Sequence, residues 1–117
     1  MYKLCRIENG VFRSFSTKEL GFDLVYSLNK YTIPEHGPIW VFVDIDTANS
    51  FADVNMQPGI RYVLLYGFAG DVALKCPAYN CLLLRDYYAN IRVGTRPCRY
   101  PTTDRYMPME VAEQLWR

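Results

Sequence analysis

Asn9-Gly10 constrains this chain more than any other pair of residues. It stands between two alternating segments, Tyr2–Ile7 and Val11–Ser16. A type I′ turn needs two consecutive residues with φ > 0, and Asn-Gly supplies them at least cost. The pair therefore predicts a β-hairpin that sets Glu8 against Val11, Ile7 against Phe12, Arg6 against Arg13 and Leu4 against Phe15.

The rest of the chain reads as short segments with frequent punctuation. Ser16-Thr17-Lys18-Glu19 has capping-box spacing, but Gly21 limits it to a short turn. Leu24–Ile33 is strand-like and stops at Pro34. Ile39–Val43 is a short apolar run that suits a central buried strand. Asp46 stands at an expected helix N-cap, followed by an apolar stripe of Ala48, Phe51, Ala52 and Val54. Ile60–Phe68 and Val72–Cys76 bracket Ala69-Gly70-Asp71 as a second hairpin. Cys81–Leu84 and Tyr87–Val93 add strand pattern. Pro97, Pro101 and Pro108 predict an irregular crossing over 94–108. Pro108 suits a first helical position, so a C-terminal helix is expected over 109–117, with Val111, Ala112, Leu115 and Trp116 on one face. The expectation is one α+β domain over 1–117: a small antiparallel or mixed sheet with one or two short helices.

Composition narrows the function. Half of the 117 residues are hydrophobic, enough for a core. The net charge of +1 gives no global field toward nucleic acid or an anionic membrane. The longest apolar runs fall far short of a membrane span, so no membrane partner is expected. The N-terminus enters a strand pattern without a separate apolar signal region, so a cytoplasmic location is expected. In that compartment Cys5, Cys76, Cys81 and Cys98 are expected to be free thiols. Only Cys76 and Cys81 approach zinc-ligand spacing, with Cys98 or His36 as conceivable further ligands, and no metal site is assigned.

Catalytic equipment is sparse. His36 lies in the turn Pro34-Glu35-His36-Gly37-Pro38 with no evident nucleophile beside it. Asp44-Ile45-Asp46-Thr47 invites comparison with an aspartate-nucleophile phosphatase motif, but Ala48 occupies the motif's threonine position. No catalytic residue and no cofactor is assigned.

Arginine and tyrosine carry the binding expectation. The richest segment is Arg85–Arg105, with Tyr106 directly after it; four of nine arginines and three of ten tyrosines fall within its Arg85–Tyr100 part, where Asp86 is the only acid. That composition suits protein interfaces and also surfaces that stack bases. The candidate patch is Tyr88, Arg92, Arg96, Arg99 and Tyr100. Its first reading is a contact with a host protein. The alternative is a nucleotide or nucleic acid, with Arg92, Arg96 and Arg99 on phosphates and Tyr87, Tyr88 or Tyr100 stacking. Arg6 and Arg13, facing each other across the first hairpin, need a counter-charge. Glu8 can supply it; if it points away, the pair becomes an anion fork.

Tyr2-Lys3-Leu4-Cys5-Arg6, Gly10, Ser14, Tyr26 to Pro34, Pro38-Ile39-Trp40-Val41-Phe42 and Ala48-Asn49-Ser50-Phe51-Ala52 together resemble a small α+β domain widespread in phage and prokaryotic proteins. The resemblance covers about the first seventy residues and rests on core positions, which transmit fold rather than function. It implies a phage or mobile-element protein, with inhibition of a host defence protein as the role expected of a non-catalytic one. The segment from Thr47 to Ala52 is also distantly similar to the ADP-ribosyltransferase fold, which implies a degenerate enzyme as a further alternative.

Overall fold

Asn9 and Gly10 both adopt positive φ, 53° and 75°, and close the hairpin of β1 (Tyr2–Glu8) and β2 (Val11–Ser14) in the expected register, from Glu8↔Val11 to Cys5↔Ser14. The computed structural model describes residues 1–15, 23–34, 39–77 and 95–116, with the backbone alone for 73–77 and 95–100. Eight strands and one helix follow among the described residues, and every strand pair is antiparallel.

The larger sheet runs β3-β2-β1-β5-β8, with β3 at Val25–Tyr26, β5 at Arg61–Ala69 and β8 at Tyr106–Trp116. Successive strand residues point to opposite faces. Yet Leu4, Cys5 and Arg6 are buried in succession, as are Tyr62 to Leu65, because both faces of the central strands are covered. On one face Leu4, Tyr62 and Leu64 pack with Phe42 against Ala48, Ala52 and Met56 of helix α1 (Ile45–Asn55) and its C-cap. On the other, Cys5, Val63 and Leu65 pack with Tyr26, Ile39, Val41 and Tyr106. Burying a leucine such as Leu64 this way is worth roughly 1.5–3 kcal/mol.

The segment after β3 reaches across to β8 at one corner. Thr32 and Tyr106 exchange backbone hydrogen bonds of 2.8 and 3.1 Å, and Asn29 N–H donates to the Pro108 carbonyl at 2.7 Å. A second sheet runs β4-β7-β6, from Ile39–Trp40, Thr95–Thr103 and Val72–Pro77. The chain at Val41 and Phe42 joins the two sheets. Val41 N–H donates to the Pro101 carbonyl of β7, and Phe42 exchanges two 2.8 Å bonds with Tyr2 of β1. The radius of gyration, 13.4 Å, is close to the ~13 Å expected of one domain of this size.

Several sequence expectations are corrected. The C-terminal helix over 109–117 is strand β8: Val111 pairs with Leu65 and Leu115 with Tyr62. Nine residues make a marginal helix, whereas the open edge of β5 offers a full ladder of partners. The irregular crossing over 94–108 contains strand β7. Its Pro97 lies beside the register shift between Ala73 and Lys75, and Pro108 of β8 sits at the shift between Tyr66 and Gly67, where a missing N–H costs least. Ala69-Gly70-Asp71 is no hairpin turn, since β5 and β6 belong to different sheets. The strand expected at Leu24–Ile33 shrinks to Val25–Tyr26, and the apolar run at Ile39 forms an edge strand rather than a central one. The helix cap is Asp44, not Asp46. The segments at Ser16–Glu19, Cys81–Leu84 and Tyr87–Val93, like His36, lie outside the described residues.

Candidate interaction surface

The first hairpin places Arg6 opposite Arg13, and the counter-charge comes from Asp23, just before β3. Its Oδ2 accepts from Arg6 Nη2 at 2.9 Å and from Arg13 Nη1 at 3.3 Å. Arg6 is only 4% exposed and needs this company. Its Nε donates to Glu8 at 3.3 Å, and Nη1 donates to the Ser14 carbonyl. Glu8 therefore serves one arginine, and the chain's own carboxylate fills the fork proposed for an external anion. Nothing local in the sequence marks Asp23, which reaches the pair only because β3 folds back beside β2.

Of the arginine–tyrosine patch, Tyr88 and Arg92 lie outside the described residues. Arg96, Arg99 and Tyr100 are placed on β7 by their backbone, with Arg96 in register with Cys76 of β6. Side chains are described again from Pro101 onward, and there the segment divides. Tyr106 turns inward and is fully buried, its hydroxyl donating to the carbonyls of Met1 at 2.8 Å and Leu65 at 3.2 Å. Arg105 stays exposed and holds its guanidinium 5.6 Å from the ring of Tyr31, itself 50% exposed.

A second exposed pair lies at the far end of the larger sheet. Arg61 and Trp116 are register partners across β5 and β8, with the guanidinium 5.0 Å from the indole centroid. Trp116 is 65% exposed, so it is a surface residue and not the anchor of a terminal helix. This pair could not be read from the sequence, because it exists only once β8 is a strand. Tyr66 and Phe68, alternate residues of β5, add exposed aromatic surface, and the Tyr66 ring packs tilted against that of Tyr2, with centroids 5.0 Å apart.

Asp44, the buried Cys5 and Tyr106, and Lys3 are in structural use. Asp44 accepts from the Thr47 N–H at 2.7 Å and from its hydroxyl at 3.1 Å, and these bonds hold its carboxyl below the usual range. It is thereby a helix cap. Among the described residues no three His, Cys, Asp or Glu side chains gather as a metal site. Burial pushes the Cys5 thiol up to about 12 and the Tyr106 hydroxyl upward as well. Burial also lowers the Lys3 ammonium, which donates to the Trp40 carbonyl at 2.9 Å. A thiol so protonated is a core group rather than a nucleophile. No described helix is long and apolar enough to cross a membrane.

Comparison of the chain with known protein families, with curated proteins and with solved structures finds no match in any of the three.

Proposed function

We propose that this is a non-catalytic binding protein that contacts a host protein through its arginine–tyrosine segment, as a cytoplasmic accessory factor of a phage or mobile element that inhibits a host defence protein. The observation that carries the binding reading is the Arg105–Tyr31 pair, which sets an arginine against an exposed tyrosine at the C-terminal end of that segment. Arginine and tyrosine are enriched among the residues that dominate protein interfaces, because tyrosine brings large contact area with two torsions to freeze and arginine several hydrogen bonds from one planar group. The phage and host-inhibition part is supported by the strand–helix pattern from Tyr2 to Ala52 and by nothing else.

The test is affinity capture from a bacterial host lysate, comparing the parent with Arg96→Ala/Arg99→Ala and with Tyr31→Ala, each checked for folding by circular dichroism. Loss of a protein partner by roughly thirtyfold, the equivalent of about 2 kcal/mol, is expected for the double variant. Binding within about a factor of two of the parent would make the segment ordinary solvated surface. Capture that vanishes with nuclease and falls steeply with salt would replace the protein partner by nucleic acid.

A further inference from the structure

The end of β1, the turn before β5 and the end of β8 enclose a cleft of about 320 Å³, within the range of ligand sites. Ile7 and Ile60 give it apolar wall. Arg61 lies along it, with its guanidinium over the Trp116 ring, 5.0 Å from the centroid. The lining carries Arg6, Arg61 and Glu8, two positive charges and one negative, for a balance of +1. Arg6 is committed to Glu8 and Asp23. Among the described residues Arg61 enters no ion pair, so the uncompensated charge is its own.

A guanidinium with no ion-pair partner can present two N–H groups side by side to the two oxygens of a carboxylate. One carboxylate would neutralise the cleft. A phosphate of charge near −2 would overshoot and would also face Glu8. The isoleucine wall and the exposed indole suit an apolar or aromatic body beside that carboxylate. We propose that this cleft binds a peptide carboxylate carried next to an aromatic side chain on the protein's partner. The proposal rests on the binding-protein reading and adds a second contact to it, on the sheet end away from the Arg105–Tyr31 pair.

The test titrates the intact protein with three short peptides: N-acetyl-Gly-Phe with a free terminal carboxylate, its amide, and N-acetyl-Glu-Phe amide. Binding is followed by the indole N–H resonance of Trp116, with that of Trp40 as the internal reference. The acidic peptides are expected to shift Trp116 with dissociation constants on the order of 1 mM, and the neutral amide is not. Preference for the first peptide assigns a chain terminus as the source, and preference for the third assigns an acidic side chain. Arg61→Gln, at an exposed position that should fold normally, is expected to lose roughly tenfold or more, and Arg61→Lys less, since it keeps the charge without the fork. No shift of Trp116 at about 10 mM peptide, equal binding of the neutral amide, or undiminished binding by Arg61→Gln would overturn the proposal. Arg61 is intact in every variant of the lysate experiment, so the two readings fail separately.

Discussion

The β1–β2 hairpin reverses through two residues, whereas the ribbon formed by β5 and β6 against β8 and β7 keeps two strands together through a bend that carries them from one sheet into the other. Both are antiparallel pairs, but they are held by different means. In the short hairpin the turn sets the register, and each later pair inherits it. In the ribbon, strands more than thirty residues apart in sequence are pinned at the corner. Gly70 N–H donates to the Arg105 carbonyl at 2.9 Å, and Asp71 N–H to Asp104 Oδ1 at 2.9 Å. Ala69 pairs with Tyr106 on one side of that corner and Val72 with Thr103 on the other. A local turn can be built from two residues, while a bent ribbon needs its two chains shaped to each other.

The most damaging way to break the contrast is to add one methyl group to the ribbon. A Cβ on Gly67 would run into the Met107 carbonyl oxygen and lie 2.8 Å from Pro108 Cα, both backbone atoms of the partner strand. Gly67→Ala should cost about 3 kcal/mol, since neither atom can turn aside as a side chain would. Thermal unfolding reads the loss directly. A melting temperature within a degree or two of the parent's would mean that β8 does not approach β5 closely there. The tight hairpin has no equivalent point, because a Cβ on Gly10 meets nothing.

Alkali should sharpen the comparison, because each region holds an acid that burial keeps protonated above its ordinary range. Cys5 belongs to β1 and Tyr106 to β8, and burial raises both above ordinary values of 9.0 and 10.0. Above those values the unfolded chain releases protons that the folded chain keeps, so stability falls as pH rises, until the folded groups ionise in turn. Lys3 acts in the opposite sense. Its lowered ammonium favours the folded state as pH rises toward 10.5, and beyond that contributes no further change. The net decline is therefore expected to steepen above about pH 10.5, by about 2 kcal/mol over the next unit from the two acids together. Urea melts across that range check it. Cys5→Ala should remove the hairpin's share and Tyr106→Phe the ribbon's; a decline unaltered by either would place the titration elsewhere.

The same contrast explains what was legible in the sequence. The first hairpin was readable to its register, because Asn9-Gly10 alone specifies it. Helix α1 was readable from Ala48, Phe51 and Ala52, though Val54, expected on the same stripe, is 80% exposed and the cap fell on Asp44, two residues before the expected one. Of the ribbon, β5 and β6 were readable as strands, but β7, β8 and their pairing were not. Residues 109–116 carry an apolar spacing that a helix can also use, and only the open edge of β5 decides for a strand. Pro97, Pro101 and Pro108 look like breaks in a sequence, yet two of them coincide with register shifts that absorb them. The candidate sites divide likewise. The opposition of Arg6 and Arg13 follows from the turn, but Asp23 between them and Trp116 beside Arg61 depend on strand pairings, β3 with β2 and β8 with β5, that no local pattern marks.

The smallest expected effect is at the turn that makes the first hairpin legible. Gly10 holds φ 75° with open space where a side chain would go, so substitution there tests backbone conformation without steric conflict. Gly10→Val should cost about 1 kcal/mol, because a β-branched residue is strained at positive φ. Gly10→Asn should cost less, since asparagine tolerates that region, as Asn9 does at φ 53°. The order matters more than either value. A valine variant as stable as the asparagine one would show that the β1–β5 ladder, from Tyr2↔Tyr66 to Ile7↔Arg61, dictates the hairpin's register without help from the turn. The short hairpin would then be held as the ribbon is, by its neighbours, and the difference between the two regions would be one of length alone. If valine is the worse by several tenths of a kcal/mol, the turn is a local determinant of its own, as its φ values require.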